Sequence, residues 1–111
     1  MSTPTALTPM TKVEVVLRGA DVPSAVELLR AAGATGYTSI NGVSGFGHDG
    51  YHGGRLLFND TDALSLLIAV MPDDRAHAAI AGLRELFEDR PGVLFVSPTA
   101  VCRSEHFTAP A

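Results

Sequence analysis

The sequence predicts an α+β fold in which four β-strands and two α-helices follow the order β-α-β-β-α-β. Two segments have apolar residues at helical spacing, and each follows an Asp/Pro start signal. Four shorter segments are rich in β-branched and apolar residues, which favours strands. A glycine-rich stretch, residues 44–55, separates the second of these segments from the third.

The first predicted strand covers residues 12–18, which are mostly β-branched and apolar. The first helix begins at Asp21-Val22-Pro23, because proline fits the first turn and Asp or Ser can cap its free N–H groups. Gly33 ends this helix. Its buried stripe recurs about every 3.6 residues: Val22, Ala25, Val26, Leu28, Leu29 and Ala32.

The second strand is predicted over residues 36–43, where side chains alternate, and a turn over residues 59–62 closes the glycine-rich stretch. Residues 63–71 are almost continuously apolar, which indicates a third strand in a central position. A second helix opens at Pro72-Asp73-Asp74, with carboxylates at the positive end of its dipole, and runs to Phe87.

The last predicted strand covers residues 93–97, after a turn at Pro91-Gly92. The chain beyond Pro98 is expected to keep Val101 and Phe107 as anchors. Residues 1–11 are rich in Thr and Pro and predict a disordered leader. Residues 12–107 should then form one domain, and residues 108–111 a flexible tail.

This order of elements is that of the ferredoxin-like fold, an antiparallel four-stranded sheet with both helices on one face. The other face would be bare, yet it should carry apolar residues such as Val16, and residues 64–70 are apolar on both sides. Another copy of the chain is the simplest cover, so we expect a homo-oligomer with sites at its subunit clefts.

Composition restricts the function classes. The 111 residues carry a net charge of −4, which argues against nucleic acid or an anionic membrane as partner. No apolar run approaches a membrane span, and residues 1–11 lack the pattern of a signal peptide. The single cysteine, Cys102, cannot form an internal disulfide, which fits a reducing compartment. We therefore expect a cytoplasmic protein.

Several strings in this chain resemble the PII signal-transduction proteins in order and approximate spacing over about residues 12–103. The strings are Lys12-Val-Glu, Gly36-Tyr-Thr, Val43-Ser-Gly-Phe-Gly47, Val70-Met-Pro-Asp-Asp74 and Gly92-Val-Leu-Phe-Val96. The resemblance implies a ferredoxin-like homotrimer that binds adenine nucleotides between subunits. It also implies that a mobile segment, the T-loop, reports on the ligand to a protein partner. Here the T-loop would be about residues 47–57.

Nucleotide contacts are implied at Val16, Gly36, Thr38, Gly45, Phe46, Gly47, Val70, Arg90, Gly92 and Arg103. Two departures limit the resemblance. His48-Asp49 stands where nitrogen-regulatory members have Arg-Gln, which argues against 2-oxoglutarate sensing. Arg90 is the only cation near the position of the phosphate-binding Gly-x-Gly-Lys, so ADP, AMP or a cyclic nucleotide suits the site better than ATP.

The shortened T-loop resembles that of PII-like proteins in inorganic-carbon handling, both carboxysome-associated members and partners of bicarbonate transporters. That resemblance implies bicarbonate as a second ligand and association with carboxysomes. Glycine N–H groups and nearby donors suit a small anion. The candidates are Gly47, His48, Gly50, His52 and Arg55.

Two other classes remain as alternatives to a carbon-type regulator: a nitrogen-type PII regulator and a metal-binding trimer of the CutA kind. The second would need His48, His52 or Cys102 as ligands. No nucleophile, base and orienting group stand at recognisable spacing, so we expect no enzyme and no resident cofactor, although slow ATP hydrolysis stays open.

Overall fold

The computed structural model describes residues 6–45 and 63–110. The strands are β1 (Thr8–Arg18), β2 (Thr38–Val43), β3 (Leu64–Met71) and β4 (Gly92–Val101). They form one antiparallel sheet in the order β2-β3-β1-β4, with the ferredoxin-like topology that the sequence predicts. The helices are α1 (Val22–Ala31), α2 (Asp73–Leu86) and a short α3 (Glu105–Thr108).

The hydrophobic core lies between the sheet and the two long helices. Alternate residues of β1 and β3 point into it, and the helices supply small and branched side chains from the other side. Its fully buried members are Val13, Val15, Leu17, Ala25, Leu29, Leu67, Ala69, Met71, Ala76, Ala79 and Leu83. Both predicted helices, with their starts at Val22 and Asp73, are therefore confirmed, as is the α+β class.

The two strands predicted at the ends of the chain are longer than expected. β1 begins at Thr8, so the expectation of a disordered leader through Thr11 is wrong for its last four residues. These residues pair with the end of β4, which continues through Pro98 to Val101. A proline is tolerated there because β4 is an edge strand.

The sheet face opposite the helices is apolar and open. Val16 lies between Leu66 of β3 and Val93 of β4, as the alternation in the sequence predicts. Phe95 projects from this face and is 57% exposed. This open face also carries Leu64, Ile68, Val70 and Ile40, with Lys12 paired to Glu14 at 3.8 Å.

No helix in residues 6–45 and 63–110 has the length and apolar character needed to cross a membrane.

Candidate functional site

The predicted nucleotide-binding residues fall into two groups at opposite ends of the sheet. Gly45 and Gly92 lie at the end where β2 and β1 finish and β3 and β4 begin, which we call the loop end. Thr38, Val70 and Arg103 lie toward the other end, which we call the tail end. Val70 lies six positions after Leu64 in β3, a distance of roughly 20 Å at 3.3 Å per residue.

The loop end contains a buried carboxylate between two arginines. Asp21 has a side chain only 3% exposed, and its Oδ2 accepts a hydrogen bond from Arg18 Nε at 3.2 Å. Its Oδ1 accepts a second from Arg90 Nη1 at 2.8 Å. A charged carboxylate is costly to bury unless it is paired, so these two bonds hold it in place. We call these three residues the Arg-Asp-Arg cluster.

The predicted capping role of Asp21 is wrong. Asp21 does stand at the N-cap position of α1, but its side chain makes no capping hydrogen bond there. Both of its oxygens instead accept hydrogen bonds from guanidinium groups, which also neutralise the charge of the carboxylate. The cluster therefore joins the turn before α1 to the segment before β4.

Gly92 is required by close packing at the start of β4. A Cβ atom at this position would collide with the ring of Phe87, which follows α2. Arg90, two residues earlier, is thereby held near the sheet. At Gly45, a second predicted binding residue of this end, an added Cβ would meet nothing within 4 Å. Packing thus explains why position 92 is a glycine, whereas it does not explain the glycine at position 45.

The tail end is organised by Arg75 of α2. Its Nη1 donates hydrogen bonds to the carbonyl oxygens of Gly33 and Ala109, both at 2.9 Å, and its Nη2 donates to that of Thr108 at 3.0 Å. Thr35 Oγ1 donates to the His106 carbonyl oxygen at 2.7 Å. The segment after β4 is therefore attached to α2 and to the connection between α1 and β2.

An open cleft lies between this attached segment and the start of β2. Its walls include Thr35, Gly36 and Tyr37 on one side and Glu105 and His106 on the other. The nearby Arg103 has φ of +61°, a left-handed conformation that is uncommon for a residue with a side chain. Strained backbone of this kind is often retained at binding sites.

Six candidates lie outside the described residues: Phe46, Gly47, His48, Gly50, His52 and Arg55. The predicted turn over residues 59–62 lies outside them as well. Within residues 6–45 and 63–110, no group of three or more His, Cys, Asp or Glu side chains is arranged to hold a metal ion. Cys102, the third ligand candidate of the metal-binding alternative, is exposed.

Sequence reasoning missed Arg18 and Arg75 and gave Asp21 the wrong role. The Arg18–Asp21 pair had a local signal in the sequence, since opposite charges three residues apart can meet across a helical turn. Arg75 had none, because its partner Gly33 is 42 positions away.

A comparison with models of known protein families identifies the family of this chain. The family model described as nitrogen regulatory protein P-II matches residues 10–106. The chain belongs to the P-II family. The comparison with curated proteins gave no match.

Solved P-II structures resemble this chain over most of its length. CPII, a nitrogen regulatory PII-like protein from Thiomonas intermedia bound to ADP, AMP and bicarbonate, is 39% identical, with a TM-score of 0.80. The match covers 91% of this chain and 95% of that chain. A PII-like signaling protein from Thermus thermophilus is 22% identical, with a TM-score of 0.73 over 92% and 98% of the two chains.

The GlnK-ATP complex of Bacillus subtilis is more distant. It is 20% identical and covers 82% of each chain, with a TM-score of 0.59. At this level of identity the likeness to GlnK, as to the Thermus protein, concerns the P-II fold alone.

Proposed function

We propose that this chain is a regulatory protein that binds ADP or AMP between neighbouring copies and takes bicarbonate as a second ligand. A partner protein would read the ligand state through the T-loop, residues 47–57. The likeness to CPII carries this proposal, because that protein is 39% identical over nine-tenths of the chain and was solved with ADP, AMP and bicarbonate. A second CPII structure contains ADP and bicarbonate.

The separation of the two ends supports a site between copies. Arg90 and Arg103 both suit a phosphate, yet one lies at the loop end and the other beyond the last strand at the tail end. One nucleotide cannot meet both within a single chain. A loop end of one copy placed beside a tail end of the next would bring the two arginines together.

The open face supplies the driving force for such an assembly. Val16, Leu66 and Val93 form one apolar row across three strands, and Phe95 stands beside them more than half exposed. Burial of such a face favours self-association through the hydrophobic effect. A closed ring of three copies, as the family resemblance implies, would cover every open face.

The phosphate count follows from the cations at the loop end. Arg18 and Arg90 are both already bonded to Asp21, and the chain has no lysine after Gly92. A diphosphate or monophosphate needs fewer charge partners than a triphosphate. We therefore propose ADP and AMP as the ligands ahead of ATP and cyclic AMP.

The bicarbonate part of the proposal concerns Gly47, His48, Gly50, His52 and Arg55. Their N–H groups, imidazoles and guanidinium are suitable donors for a small planar anion. By likeness to the inorganic-carbon group, the partner would be a carboxysome component or a bicarbonate transporter. The same likeness favours a regulatory role over a catalytic one.

Isothermal titration calorimetry tests the proposal directly. ADP, AMP, ATP and cyclic AMP are titrated into the protein with and without bicarbonate, while light scattering gives the mass in solution. We expect saturable ADP and AMP binding by an oligomer, and a change in affinity or enthalpy when bicarbonate is present. A monomer that binds none of the nucleotides would overturn the proposal, and zinc or copper binding in a parallel titration would favour the CutA-like alternative.

A further inference from the structure

We propose that the Arg-Asp-Arg cluster is the phosphate-binding part of the nucleotide site. In it, Arg18 contacts a phosphate beside Arg90, and Asp21 is the positioning residue that orients both guanidinium groups. This inference rests on the proposed function. It adds two residues to that site and assigns the loop end of the sheet to the phosphates.

The geometry leaves donors available on both arginines. Arg18 uses its Nε and Arg90 its Nη1 to reach Asp21, and their remaining guanidinium nitrogens have no hydrogen-bond partner among the described residues. The side chains of Arg18 and Arg90 are 35% and 43% exposed, whereas that of Asp21 is 3% exposed. The carboxylate thus lies underneath, and both cations face solvent.

The charge of the cluster favours an anion. Two guanidinium groups and one carboxylate leave one net positive charge, in a protein whose overall charge is −4. Planar guanidinium groups bind phosphate oxygens with paired hydrogen bonds. Because both contact one carboxylate, the two groups lie near each other, and we infer that the phosphates of one ligand bridge them.

The cluster lies beside the other candidates of the loop end. Arg18 is opposite Leu64 in β3, and Leu64 is also opposite Val43, two residues before Gly45. The N–H of Gly19 donates to the Ala63 carbonyl oxygen at 2.8 Å. A phosphate on the cluster would therefore touch the region where the chain enters and leaves the glycine-rich stretch.

A purely structural ion pair is the competing interpretation, since the same bonds hold the segment before β4 to the turn before α1. The two roles differ in their ligand dependence. If Asp21 positions the phosphate-binding groups, its replacement should lower the affinity for ADP. The affinity for adenosine, which has no phosphate, should stay unchanged. A structural role should affect both equally, because the whole pocket would shift.

The test compares ADP binding by calorimetry with adenosine binding by saturation-transfer NMR, which detects weak ligands. The variants are Arg18→Gln and Asp21→Asn, with Arg84→Gln on the exposed surface of α2 as matched control. We expect each cluster variant to lower the affinity for ADP by about tenfold, as loss of a charge-assisted bond would. The affinity for adenosine should not change. The control should bind both ligands like the wild type.

Three results would count against this inference. Wild-type affinity for ADP in both variants would remove the cluster from the site, whereas the proposed function would stand because the wild type still binds. Equal losses for ADP and adenosine would reduce Asp21 to a structural role. No ADP binding by the wild type would remove the proposed function and this inference together. If Asp21→Asn does not fold, Arg18→Gln and Arg18→Lys still decide, with the lysine variant expected to retain part of the affinity.

Discussion

The guanidinium group of Arg75 donates a hydrogen bond to the carbonyl oxygen of Gly33 at 2.9 Å, and the same group holds the segment that follows β4. Gly33 has φ of +103°, and a Cβ there would lie 2.8 Å from the Arg75 Cδ. One side chain of α2 therefore joins the turn after α1 to the segment that follows β4. The integrity of the cleft beside Gly36 should depend on it.

Replacement of Arg75 by Ala should release the segment after β4. Three short hydrogen bonds to carbonyl oxygens would be lost, and we expect the free energy of unfolding to fall by about 1–3 kcal/mol. Hydrogen-deuterium exchange should rise over residues 104–110. Arg84→Ala, on the exposed side of the same helix, is the control, and faster exchange in that variant as well would contradict the assignment to Arg75.

A side chain at Gly92 should be incompatible with the packing of Phe87. Gly92→Ala is expected to lower the free energy of unfolding by about 1–3 kcal/mol, since the ring must move aside. Gly36→Ala is the matched control because its added Cβ would meet nothing within 4 Å. Urea denaturation of the two variants measures the difference. Similar urea midpoints for the two variants would show that the Phe87 ring moves aside without loss of stability.

Self-association should depend on the open face. Phe95→Glu would place a carboxylate opposite Glu14 on that face, and we expect it to shift the protein to monomer. Val96→Glu is the matched control, because the next residue of the strand points to the opposite face and is similarly exposed at 46%. Light scattering gives the mass, and circular dichroism checks that the variants fold. If the Phe95→Glu variant remained an oligomer, the interface would have to lie on another surface of the chain.

Arg103 allows stability and ligand binding to be separated. Arg103→Gly should leave the free energy of unfolding unchanged or raise it by up to about 1 kcal/mol, since glycine adopts φ of +61° without strain. The same change should make the free energy of ADP binding less favourable by about 1–3 kcal/mol, because a charge-assisted bond is lost. Thermal melts and calorimetry on one preparation measure both. Unchanged ADP affinity would exclude Arg103 from the site.

The sequence predicted the order of the long elements well, because each contains its own signal. The apolar run of β3 and the apolar stripe on α1 are patterns among residues that are neighbours in the sequence. The ends of β1 and β4 were missed since Thr8 and Val101 become strand only by pairing with each other. Composition alone does not reveal a partner 93 positions away.

The candidate site was predicted less completely, for a related reason. Glycines and arginines could be marked as binding residues by type, but their contacts depend on residues distant in the chain. Asp21 illustrates this, because its sequence position favours a helix cap while Arg90, 69 positions later, takes one of its oxygens. The two-end arrangement follows from the sheet register, which no single segment encodes.

If the nucleotide binds between copies of the chain, as proposed, the distance between the loop end and the tail end has a genetic consequence. A subunit altered at Arg90 keeps a normal tail end, and a subunit altered at Arg103 keeps a normal loop end. Each variant alone would assemble with every site defective, yet a mixture of the two would regenerate some wild-type sites. Coexpression of two inactive alleles would then restore a measurable part of the lost binding.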